Sequence, residues 1–182
     1  GSVSIGSGGG GYGSGKDITI NGGTVIAAGG KEAAGIGGGD SGIGENITIT
    51  DGTVTATGGI YGAGIGGGVN ASGSNVTVSG AAQVTATAGK SDGYYGAGAT
   101  IGNGGSKTPD GPVDGEEIQA DIRGVTTGYI HHIIYNPDLD LDGKPDGILK
   151  EWWEFALPKP IPDGESLDLH VETLKGAPLL FN

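Results

Sequence analysis

This chain has no cysteine, so no disulfide and no thiolate chemistry is available to it. It has no methionine and few aromatics, two Trp, two Phe and six Tyr in 182 residues. Lysine and arginine number nine against 21 acids, a net charge of −12. Without a basic stripe to neutralise phosphates, nucleic acid is excluded as a partner. No apolar run approaches the roughly 18 residues of a membrane span. The chain begins Gly1-Ser2, which reads as a cloning scar, so it is expected to be part of a longer protein whose targeting signals lie elsewhere.

What it has in excess is glycine, 43 residues, and they are unevenly spread. Thirty-five fall in residues 1–106 and eight in 107–182, and net charge divides as −3 and −9. The division predicts glycine-rich repeats over 1–106 and an acidic C-terminal segment over 107–182. The junction GGSKTPDGP has the composition of a linker.

The first part repeats. Ile18, Ile47 and Val76 are spaced by 29 residues, as are Val25 and Val54. Val84 lags by one, which predicts a one-residue bulge near Ala81-Ala82. The run Ala34-Gly-Ile36-Gly-Gly-Gly39 returns 29 residues later as Ala63 to Gly68. Each unit carries three short alternating segments of the kind Gly-Ile-Gly, Ile-Thr-Ile and Thr-Val-Thr-Ala-Thr. One unit buries too few aliphatics to fold alone, whereas stacked units join them into internal ladders. These features predict an all-β chain: a right-handed parallel β-helix of about three 29-residue turns, ended by a small β-rich capping segment. Its handedness follows the general rule for parallel crossovers. Gly-Ile-Gly is expected to be a crowded strand with only Ile pointing inward.

NITITDGTVTATGG followed by GAGIGGG resembles the glycine-rich repeats of large secreted or wall-attached proteins of Gram-positive bacteria. That resemblance covers about residues 3–105. It implies a cell-surface, adhesin-like β-helix without assigned chemistry, whose partner is a host or environmental glycan or protein surface.

Alternation puts Thr53, Thr55 and Thr57 outside, over Thr85 and Thr87 of the next turn, with Thr19, Thr48 and Thr77 as a second outward file. Such files are what β-branched residues on an exposed strand produce. They also have the Thr-x-Thr form of an ice-binding surface, although Ile26, Ala28 and Gln83 interrupt them. Tyr61, Tyr94 and Tyr95 fall near one corner on successive turns. They are either covers for glycine-rich backbone or a platform for sugars. A polysaccharide-active enzyme would need facing carboxylates with Arg or Lys in a groove. The repeat region has neither Arg nor His, and the spacing of its acids suggests no pair, so no catalysis is expected.

The acidic segment contains DLDLDGKPDG, in which Asp138, Asp140, Asp142 and Asp146, with the Lys144 carbonyl and Glu151, form a calcium-ligand pattern. It resembles a thrombospondin type 3 repeat, which implies calcium, although the acid of that pattern expected at position 149 is Leu149. The bland alternative is an acidic solvated turn. GVTTGYIHHIIY reads as a strand or hairpin. His131 and His132 then point to opposite faces and share no metal, and at least one of Trp152 and Trp153 is expected in the core. The closing stretch 165–182 is expected to cap the coil.

Overall fold

The structure is a computed structural model that describes residues 5–6, 12–136 and 147–156. Its strands are β1 (Ile5–Gly6), β2 (Gly15–Ala28), β3 (Ile36–Gly37), β4 (Gly44–Thr57), β5 (Ile65–Gly66), β6 (Gly73–Gly80) and β7 (Gln83–Thr87). Then come β8 (Ile101–Gly102), β9 (Ser106–Thr108), β10 (Gly111–Val113), β11 (Asp121–Val125), β12 (Tyr129–Tyr135) and β13 (Ile148–Phe155).

The copies lie coil upon coil in parallel register, as the 29-residue repeat requires. Ile18 pairs with Ile47 and then Val76, while Val25 pairs with Val54 and then Val84. The one-residue lag is absorbed in the turn between β6 and β7, where Gly80 takes φ 61°. A second, narrow sheet stacks Ile5, Ile36, Ile65 and Ile101 in one column.

Alternation sorts the side chains as expected. Val54, Ala56, Val84 and Ala86 are fully buried, while Thr53, Thr55 and Thr85 reach solvent. Ile36, Ile65 and Ile101 are also fully buried and join the two ladders of the larger sheet in one core. At roughly 1.5–3 kcal/mol for each buried aliphatic, this ladder drives the stacking.

Glycine in the narrow sheet is obligatory. Gly37 and Gly66 hold φ near +131° and +137°, and a Cβ on either would stand 2.1 Å from the carbonyl oxygen of Gly66 or Gly102 in the next coil. Both the dihedral and the close approach demand the missing side chain.

The parallel ladders run beyond residue 106. β11 pairs with β6, and β12 pairs in parallel with β7 over five positions from Tyr129–Gln83 to Ile133–Thr87. GGSKTPDGP, read from sequence as a linker, contributes the antiparallel hairpin β9–β10, which turns at Pro109-Asp110. From there the chain runs back antiparallel across Gly102 through a bridge to Glu117. β13 then pairs antiparallel with β12. Among the described residues, an antiparallel pass thus lies against the last parallel strand of each column. The stretch expected to cap the coil, 165–182, lies outside the described residues.

Candidate functional site

Register fixes what each side of the last strands presents. On the outer side, the row Thr24, Thr53, Gln83 continues into Tyr129 and Phe155. The row Ile26, Thr55, Thr85 continues into His131 and Trp153, and Ala28, Thr57, Thr87 into Ile133 and Glu151. The face therefore changes along the coil axis from threonine to aromatic. His131 stacks on Trp153 with ring centroids 4.1 Å apart and planes within 4°. Its Nε2 lies 3.1 Å from a Glu151 carboxylate oxygen. All of these aromatic side chains are partly exposed.

On the inner side, Ala27, Ala56 and Ala86 are followed by His132, and His132 by Trp152. The His132 ring is 1% exposed and stacks on Trp152 at 4.4 Å. A buried imidazole needs partners, and Thr100 supplies one at 2.6 Å from Nδ1. The Thr100 hydroxyl donates to Glu117 at 2.7 Å, and the amides of Thr100 and Ile101 donate to the same carboxylate at 2.6 and 3.1 Å. Three donors thus converge on the two Glu117 carboxylate oxygens. Across from it, Glu154 stands 3.4 Å from His132 Nε2 and accepts from Gln119 at 2.8 Å. His132 beside it, with Gln119 and Trp152, keeps the Glu154 carboxyl below the usual range against the opposing effect of burial. These groups, with Lys150 and Ile118, line a recess of ≈ 350 Å³.

The tyrosines gather at one corner, as their spacing predicts. Tyr61 and Tyr95 meet edge to face at 5.2 Å, and Tyr94 and Tyr95 at 4.9 Å. Their accessibility differs. Tyr61 is buried, and its phenol is pushed up to about 12 by that burial and by its hydrogen bond to Asp92. Tyr94 is 58% exposed, with the Lys107 ammonium 3.6 Å over its ring. Of the threonine files, Thr53, Thr55, Thr57 and Thr85 are open to solvent to differing degrees, while Thr87 is buried. The calcium-pattern residues Asp138, Asp140, Asp142, Lys144 and Asp146 lie outside the described residues. Glu151, assigned with them, sits on β13 beside His131. Among the described residues no three His, Asp or Glu form a metal cluster.

Sequence reasoning missed the Tyr129, His131, Trp153, Phe155 rows and the Thr100–His132–Glu154 set. Val84 and Ile130, register partners, are 46 residues apart because loops and the hairpin intervene. A search at a fixed period of 29 passes over them. The usable signal is alternation itself, since Tyr-Ile-His-His-Ile continues the outward–inward pattern of Gln-Val-Thr-Ala-Thr.

The beta helix repeat family matches residues 18–40 and 47–69, the coils in which the 29-residue register is cleanest. No curated protein and no solved structure matches the chain.

Proposed function

We propose that this β-helical repeat region is a non-catalytic, extracellular module of a bacterial surface protein, an adhesin-like spacer that also binds glycans on its outer face. The observation that carries the reading is the aromatic end of that face. Tyr129, His131, Trp153 and Phe155 stand partly exposed on two adjacent strands, in register with polar threonine rows. Aromatic rings take the apolar faces of sugars, and neighbouring hydroxyl, imidazole and carboxylate groups take their hydroxyls. Rigid strands hold these groups in place without an ordering cost at binding.

A non-catalytic role is supported by the state of the carboxylates near the recess. Glu117 is committed to three donors, and Glu154 is engaged by Gln119 and His132. Neither is placed as a free acid facing a free base, which hydrolysis of a glycosidic bond requires.

Calcium belongs to this reading as a brace. The acidic pattern at 138–146 falls in the sequence between β12 and β13, so an ion bound there would tie together the ends of the two strands that carry His131 and Trp153.

A glycan array probed with the parent chain, Trp153→Ala and Tyr129→Ala tests the proposal. Glycan binding by the parent that falls at least tenfold in both variants is the expected result. A parent that binds no glycan leaves a spacer alone.

A further inference from the structure

A second site is built at the inner end of the same strands, and its argument does not depend on the glycan reading. The Thr100 hydroxyl has one proton, and the Glu117 carboxylate, an acceptor only, receives it. The 2.6 Å contact between Thr100 and His132 Nδ1 must then be made by the ring's proton, with Nδ1 as the donor. When the ring is neutral this leaves Nε2 as a bare lone pair; when it is charged, Nε2–H faces the Glu154 carboxylate and lowers its pKa. Nε2 is buried and has no hydrogen-bond partner. It lies 3.4 Å from a Glu154 oxygen, which is also an acceptor. Two acceptors facing each other in a buried place repel unless something positive lies between them.

From this we infer that His132 Nε2 and Glu154 hold a borderline divalent metal ion of the zinc type, with the Gln119 side chain and water completing its shell. Three features support the assignment. Nitrogen and oxygen ligands bound at about 2.0–2.2 Å with tetrahedral angles stand about 3.4 Å apart, the separation that is seen. A metal-bound histidine ordinarily donates its other ring N–H to a group that fixes the tautomer, and the Thr100–Glu117 pair does this. Finally, Glu154 and His132 both line the recess, which gives an ion a path from solvent. The Lys150 ammonium does not occupy the place. It lies 4.4 Å over the Trp152 ring, on which His132 also stacks.

The site differs from the calcium pattern in chemistry as well as position, because imidazole suits zinc, copper, nickel and cobalt rather than calcium. Two protein donors with a carboxamide make a site of moderate affinity.

Chelator-stripped full chain, kept in excess calcium, would be titrated with Co²⁺ and Zn²⁺. Calorimetry would follow binding, the visible bands of Co²⁺ its coordination, and ¹⁵N chemical shifts of the imidazoles which nitrogen is bound. The expected result is one equivalent bound, four-coordinate cobalt bands, and a metal-induced shift at His132 Nε2. Glu154→Gln should weaken binding at least tenfold, and Thr100→Val several-fold, while His131→Ala leaves it unchanged. Both informative variants keep the volume of the core, so a folding failure at His132 need not be faced. Absence of binding overturns the inference, as does binding undiminished in Glu154→Gln. A His132 ring that carries protons on both nitrogens and ignores the metal also overturns it, since a proton then fills the gap.

Discussion

The Asn46 side-chain amide donates to the Asp17 carboxylate, 2.9 Å away and twenty-nine residues earlier in the chain. Asn75 repeats the contact onto Asn46 at 2.8 Å. All three residues take positive φ, between 55° and 58°, a conformation that Asn and Asp tolerate better than other side chains. One column thus serves two needs: it turns the chain into the first long strand of each coil, and it ties that turn to the coil beside it.

Asn46 stands in the middle of this column. Asn46→Ala is expected to cost about 1–3 kcal/mol, through two lost hydrogen bonds and a strained backbone. Asn46→Gly relieves the strain and loses only the bonds, so it should fall between parent and Ala in chemical denaturation. Equal stability of all three would remove the column from the account of the fold.

Gly66 lies in the middle of the narrow sheet, with φ near +137° and a neighbouring carbonyl oxygen 2.1 Å from any added Cβ. Gly66→Ala should destabilise by about 3 kcal/mol or more, because no flexible side chain can give way. Gly23 also has positive φ, but an added Cβ there meets nothing within 4 Å. Gly23→Ala is expected to cost clearly less. Thermal melts of the two variants check the difference.

Tyr61 provides a pH prediction. Its phenol ionises at about 12 in the folded chain rather than near 10.0, chiefly because burial disfavours the phenolate and secondly because it bonds to Asp92. The folded pKa lies above the unfolded one, so this contribution is fully present below pH 10. It is lost progressively as the pH rises from about 10 through 12. A phenolate absorbance titration should show one late step, near pH 12, that Tyr61→Phe abolishes.

Calcium binding at 138–146 would stabilise by mass action, by about 2.7 kcal/mol at a hundredfold excess over Kd. A higher melting temperature in calcium, lost in Asp140→Asn with Asp142→Asn, is expected. An unchanged melt at millimolar calcium removes the ion from the proposed function.

The coils were legible because their register is written in the sequence. Ile18, Ile47 and Val76 keep one interval, and alternation around Val54 says which side chains turn in. The crowding of Gly-Ile-Gly was legible for the same reason. The last coil was not. There Ala86 is followed in space by His132, 46 residues on, after a corner loop and a hairpin have consumed chain. Adjacent His residues correctly predicted opposite faces. The Thr100 and Glu117 that satisfy one of them come from parts of the chain with no sequence relation to it. The tyrosine corner was found by spacing, but burial divided its members, and spacing carries no information on depth.

Parallel pairing through every coil has a mechanical consequence. The rungs between neighbouring coils point along the long axis, so a pull from end to end stretches them rather than shearing them. Each junction between coils shares the tension among its ladders, whereas the junctions themselves act in series. Such a rod yields at its weakest junction, one coil at a time, and can re-form there when the load drops.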